Sequence, residues 1–201
     1  MGHPVYEVGP GVLAWEKYMS IKTISSREVY RNPWTRVRED VIERSNGKRG
    51  IYGVIEKDPC CMVIPLEETA EGDFLTLVEQ FRYPIGELST EFPQGGWETA
   101  VVDPEEMARG ELREETGLIA ETMTRLARFQ IANGVMSQEQ TIYLARGLKQ
   151  GETSPDPEEH DLVVHRVSVA AFEEMLATGK IVDNCTAAAW AAYRLWKERQ
   201  A

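Results

Sequence analysis

Short apolar and β-branched runs broken by turn residues fill the first half of the chain, and a helical period appears only later. Thr23 to Tyr30 and Trp34 to Ile42 read as extended segments separated by Asn32-Pro33. Asn46-Gly47 is a hairpin-type turn signal ahead of Ile51 to Ile55, so the three runs make a small N-terminal β region. Cys60 to Leu66 and Phe74 to Phe81 read as core strands divided by an acidic turn, Glu67 to Asp73. A glutamate-rich helix opens at Pro104, and strands follow over Leu118 to Gln130 and Gln140 to Leu148, with Asn133-Gly134 in the loop between them. The composition of the polar stretch Lys149 to Asp161 predicts a mobile loop. Leu162 to Val167 is a further strand, Val169 to Ala177 a short helix, and Thr186 to Arg199 a longer one. Trp190, Tyr193 and Trp196 fall on roughly one side of that last helix, an aromatic stripe suited to core or dimer packing rather than to a cofactor. Residues 1–19 show little periodicity and are read as an N-terminal extension, with Met19 an alternative start. Residues 20–56 then form the β region and 57–201 the main domain.

The helix carries the chemistry. Glu111, Glu114 and Glu115 stand at i, i+3 and i+4, so they share a helix face, where like charges repel by a few tenths of a kcal/mol, roughly, per pair. A hard divalent cation offsets that cost: Mg²⁺ is held by carboxylates, backbone carbonyls and retained waters, and it usually bridges to substrate phosphates. Upstream, Glu91-Phe92-Pro93-Gln94-Gly95-Gly96 places two glycines where backbone can approach a ligand closely. The competing reading of the same glutamates is an ordinary solvated helix face.

Composition narrows the classes. The 201 residues, 42% hydrophobic, suffice for one good core with a small added subdomain. A formal net charge of −11 argues against broad binding to nucleic acid or to an anionic membrane, although bound Mg²⁺ and a few arginines can reverse the field locally. Cys60, Cys61 and Cys185 are odd in number and lack metal-type spacing, so free, mostly buried thiols are expected. No apolar stretch approaches twenty residues, and the expectation is a cytoplasmic protein without a membrane segment.

From Gly96 to Leu118 the chain resembles the Nudix box, G-x5-E-x7-R-E-U-x-E-E-x-G-U with U aliphatic. Gly96, Glu111, Leu112, Glu114, Glu115, Gly117 and Leu118 match in frame. Val102 replaces the first glutamate and Gly110 the arginine. In the family these two form mainly a structural pair, so losing both strands neither charge. Arg109 and Arg113 are the candidates to substitute. Outside the box, Gln80-Phe81-Arg82-Tyr83, Gly134-x-x-Ser137-Gln138-Glu139, Glu158-Glu159 before a strand, and Thr178 to Asp183 resemble the branch that hydrolyses ADP-ribose and nucleoside diphosphate sugars.

The resemblance implies an α/β fold, the Nudix α/β/α sandwich with a mixed central sheet, plus the small N-terminal β region. It implies Mg²⁺ or Mn²⁺ held by Glu111 and Glu115, with Glu114 sharing a second ion or orienting its water, and with a carbonyl at Gln94 or Gly95 completing the shell. Glu158 or Glu159 would accept the proton of the attacking water, Glu139 being a further carboxylate at the site. Arg82 would contact the sugar or phosphate, and Trp34 and Arg36 the base. The implied reaction is metal-dependent cleavage of ADP-ribose or a related nucleoside diphosphate sugar into a nucleoside monophosphate and a sugar phosphate, by a homodimer. Two alternatives stay open: a Nudix hydrolase of nucleoside triphosphates or dinucleoside polyphosphates, and a non-catalytic nucleotide sensor on the same fold.

Overall fold

The computed structural model describes residues 21–96, 103–151 and 161–200. They divide into two units, the first ending at Ile55 and the second beginning at Glu56. The first is a three-stranded sheet in the order β1 (Ile21–Arg31), β2 (Arg36–Arg44), β3 (Arg49–Glu56). β1 and β2 are antiparallel, from Ile21 opposite Arg44 to Arg31 opposite Arg36. The turn between them is set by Asn32, whose side-chain oxygen accepts from the N–H groups of Trp34 (3.0 Å) and Thr35 (2.7 Å). Every residue of β1 is exposed, Ile21, Ile24, Val29 and Tyr30 included.

The second unit contains β4 (Cys60–Thr69), β5 (Gly72–Arg82), β6 (Glu87–Glu91), β7 (Gln94–Gly95), α1 (Pro104–Thr116), β8 (Leu118–Gln130), β9 (Glu139–Gln150), β10 (Val163–Ser168), α2 (Val169–Ala177) and α3 (Asn184–Glu198). Its sheet runs β10-β5-β4-β9-β8, all pairs antiparallel except β4 with β9. Alternation along the central strands sends side chains to two layers. Met62, Ile64, Leu66, Ile142 and Leu144 point to one face and pack with Phe172 of α2 and with Trp190 and Tyr193 of α3. Cys61, Val63, Tyr143 and Ala145 point to the other and pack with Met107, Ala108 and Leu112 of α1. The result is the expected α/β/α sandwich, and the aromatic stripe of the last helix belongs to its core. Among the described residues no helix is long and apolar enough to cross a membrane.

Three features of this unit differ from the sequence reading. The acidic segment Glu67 to Asp73 is mostly strand: β4 and β5 continue to Thr69 opposite Gly72, leaving a tight turn of Ala70 and Glu71. β9 likewise extends through Gln150, into the stretch expected to be loop. β6 and β7 were not anticipated. In β6 the inward residues are polar, Ser89 and Glu91, whereas Leu88 faces out, so its hydrophobic pattern is inverted. β7 has two residues and no period to detect.

These two short strands fill a split in the sheet. After their hairpin β4 and β5 separate. β6 pairs with β5, where Glu91 lies opposite Val78, and β7 pairs with β4, where Gln94 lies opposite Met62. Phe92 and Pro93 therefore step from one branch to the other. The crossing is fixed by the Phe92 N–H donating to Thr186 Oγ1 at the start of α3 (3.1 Å) and by the Val63 N–H donating to the Pro93 carbonyl (2.9 Å).

Candidate metal and substrate site

Helix α1 is strongly delimited. Asp103 caps it, accepting from the N–H groups of Glu105 (2.9 Å) and Glu106 (3.2 Å), Pro104 opens it, and Gly117 ends it in the left-handed conformation at φ 71°, its N–H returning to the Arg113 carbonyl. These caps fix the helix ends, and packing of its apolar face on the sheet fixes its rotation. Its buried face carries Met107, Ala108 and Leu112 and, one turn apart, two carboxylates, Glu111 (7% exposed) and Glu115 (4%). Glu114 is half-buried on the same helix. Arg109, a proposed stand-in for the missing box arginine, pairs with Glu105 (2.9 Å) and donates to the Ala120 carbonyl of β8 (2.8 Å), tying the helix to the sheet. Gly110 is buried against its surroundings, and Arg113 is exposed.

The glycine turn presses directly on these carboxylates. The Gln94 N–H donates to Glu115 Oε2 (3.1 Å). A Cβ placed on Gly95 would fall 2.6 Å from the Glu111 carboxyl carbon, so any larger residue there must push that carboxylate aside. Among the described residues no three or more His, Cys, Asp or Glu side chains gather as a ligand cluster. The set at hand is two buried carboxylates beneath a backbone turn. That chemistry fits Mg²⁺, which takes one or two carboxylates and keeps several waters. Gly95→Ala is expected to displace the Glu111 carboxylate and lower metal-dependent turnover by about tenfold or more while the fold persists, since a small misplacement at a reacting centre is costly. Parallel kinetics and thermal melts check it, and an unchanged rate would show that Glu111 tolerates displacement.

Beside the turn lies a polar chain. Glu91, buried at the end of β6, receives Arg82 through Nε (2.9 Å) and Nη2. It also accepts from Gln94 Nε2 (2.6 Å). Gln94 Oε1 in turn accepts from Gln140 Nε2 (2.9 Å), and Gln140 is itself buried at the head of β9. Burial pushes the Glu91 carboxyl up, but the Arg82 hydrogen bond and charge, with Ser89 and Gln94, outweigh it and hold it below the ordinary carboxylate range. The same pairing holds the Arg82 guanidinium up. Burial, before the neighbouring carboxylates, pushes the Cys61 thiol far up, and burial raises Cys60 to about 12 and Cys185 to about 11. All three are free thiols.

The remaining sequence candidates lie on other elements. Glu139 pairs with Arg128 across the β8–β9 ladder (3.1 Å). Arg36 pairs with Glu28 (3.0 Å) in the first unit, and Trp34 is 53% exposed at the β1–β2 turn. Glu158 and Glu159, like Val102, lie outside the described residues. Sequence reasoning assigned nothing to Glu91 or Gln140. The available signal was a charged or amide residue at the edge of an apolar run, where burial demands a partner.

The family model described as NUDIX domain matches residues 58–185, and that of the nucleoside diphosphate sugar hydrolase N-terminal domain matches residues 21–55. The chain is 27% identical over 164 residues to the ADP-ribose pyrophosphatase of Mycobacterium tuberculosis, covering 81% of this chain and 78% of that protein. It is 27% identical over 172 residues to the ADP-ribose pyrophosphatase of Bacillus subtilis (85% and 91%) and 29% identical over 147 residues to a methanol dehydrogenase activator of Bacillus methanolicus (73% and 77%). The crystal structure of an ADP compounds hydrolase superposes with a TM-score of 0.77 at 22% identity, over 91% of this chain and 97% of the other, which establishes the shared fold.

Proposed function

This chain belongs to the Nudix family, and from that premise we propose that it hydrolyses the diphosphate linkage of ADP-ribose or a related nucleoside diphosphate sugar. The observation that carries the reading is the pair of buried carboxylates, Glu111 and Glu115, held under the Gln94-Gly95 turn. The likeness to two ADP-ribose pyrophosphatases directs it to the substrate.

A diphosphate is kinetically inert because its anionic oxygens repel a nucleophile, and a bound divalent cation supplies charge neutralisation and a more acidic water. Glu111 and Glu115, with a backbone carbonyl of Gln94 or Gly95, would hold that cation, and Glu114 is the further carboxylate on the same helix. The reaction forms a bond from water oxygen to one phosphorus and breaks that phosphorus's bond to the bridging oxygen. The bridging oxygen leaves with the other phosphate, giving a nucleoside monophosphate and a sugar phosphate. The water's proton goes to a carboxylate, and we assign that part to Glu158 or Glu159 on the resemblance. Arg82 offers planar donors to phosphate or sugar from a position fixed by Glu91. The exposed Trp34 ring is assigned to base stacking, with Arg36 beside it.

A homodimer is part of this reading. A strand exposed on both faces that bears Ile21, Ile24, Val29 and Tyr30 is poorly suited to water, and a second copy of the same chain is the cover we propose. Sedimentation equilibrium should return twice the 22.7 kDa chain mass, and Ile24→Asp with Val29→Asp should return a monomer. A monomeric parent protein would remove this part of the reading. Three free thiols favour a reducing compartment, in keeping with a cytoplasmic enzyme.

The test of function is phosphatase-coupled phosphate release from ADP-ribose, GDP-mannose, UDP-glucose, diadenosine polyphosphates and nucleoside triphosphates, with Mg²⁺ and with chelator. Chelator-sensitive turnover led by a diphosphate sugar is expected. Turnover led by triphosphates or dinucleoside polyphosphates would move the substrate class, and none at all with metal bound would point to a sensor.

A further inference from the structure

We propose that Gln140 is a positioning residue for the metal site, acting on Glu115 through the side chain of Gln94. The inference rests on the reading of Glu111 and Glu115 as metal ligands. β7 and β9 flank β4 on opposite sides, with Gln94 opposite Met62 and Gln140 opposite Cys60, so the Gln140–Gln94 hydrogen bond spans the head of β4. The Gln94 amide is held at both ends, its nitrogen on Glu91 Oε2 and its oxygen under Gln140 Nε2. Such a clamp removes the rotamer freedom that a glutamine in a two-residue strand otherwise has.

The clamp has a direct outlet. The backbone N–H of the same residue donates to Glu115, and the next residue, Gly95, lies against Glu111. Turning the Gln94 side chain loose therefore loosens the peptide that orients one carboxylate and bounds the other. Glu91 carries the same chain onward to Arg82. Gln140 touches neither carboxylate in this chain of bonds, which makes its effect indirect. It is a buried amide at the polar head of β9, between Glu139 and Thr141, where burial requires a hydrogen-bond partner.

The test is calorimetric titration of the full chain with Mn²⁺ alone, without nucleotide, for the parent, Gln140→Leu, Gln94→Met and the double variant. Near-ultraviolet circular dichroism verifies folding. Each single variant should bind Mn²⁺ about tenfold more weakly than the parent, the scale of one buried hydrogen bond. The double variant should be no weaker than about twofold below the weaker single, because both cut the same chain. Equal affinity for parent and Gln140→Leu, or losses that multiply, would overturn the positioning role and leave the metal site standing. A parent that binds no Mn²⁺ would overturn the metal-site reading, and this inference with it. Should Gln140→Leu not fold, Gln94→Met decides alone, since its side chain is half-exposed and its backbone donor is retained: a tenfold loss supports the clamp and parent affinity overturns it.

Discussion

Replacing Glu115 by Gln should abolish metal-dependent turnover, by a factor of about 100 or more, while raising the melting temperature of the metal-free protein. The two effects have opposite signs for one reason. Glu111 and Glu115 are buried one helical turn apart, so keeping both ionised without a cation costs desolvation and mutual repulsion. Glutamine keeps an oxygen able to accept the Gln94 N–H and removes one of the two charges. In the proposed metal site the same charge would bind the cation. Activity assays beside metal-free melts, each in chelator-treated buffer, read both quantities. Retained turnover would remove Glu115 from the metal site; a fall in melting temperature would mean that a structural partner outweighs the repulsion.

Arg82→Met is expected to cost about 2–3 kcal/mol at pH 7, below the full value for a broken buried pair because the Arg82 side chain is 37% exposed. The cost comes from Glu91, left as a buried carboxylate without its cation. Adding Glu91→Gln should recover most of it, since the amide demands no counter-charge. The pH dependence has a definite sign. The folded-state affinity of Glu91 for a proton lies below its ordinary value of 4.5, so its stabilisation is present above that value and is lost as the pH falls through the folded one. Arg82→Met removes the main cause of the lowering. The difference between parent and variant in urea unfolding should therefore be larger at pH 7 than at pH 4. A difference that grows on acidification would contradict the pairing account.

The fold was largely legible because its central strands are continuous apolar runs and its principal helix carries both caps in its sequence, Asp103-Pro104 and Gly117. That Glu111 and Glu115 lie together on one face of α1 was legible for a related reason, since helical spacing decides which carboxylates share a face. Glu91 and Gln140 were not. Their importance comes from burial in a split between strand branches, and a split depends on which strands pair at long range rather than on local pattern. β6 was hidden by its inverted pattern, with polar residues facing inward toward that split. Trp34 shows the opposite failure: in a run read as strand, it sits instead at a turn that the Asn32 side chain organises, with its ring exposed.

The parallel pairing of β4 with β9 joins Cys60–Pro65 to Gln140–Ala145 across about eighty intervening residues. Closing so long a loop is entropically costly, and contacts of this separation slow folding, so this seam is expected to close late. Gln140 reaches Gln94 only across that seam. During refolding, helix α1 and the β4–β5 hairpin, both built from local contacts, are therefore expected to assemble before the Gln94–Gln140 contact closes beside the proposed metal site.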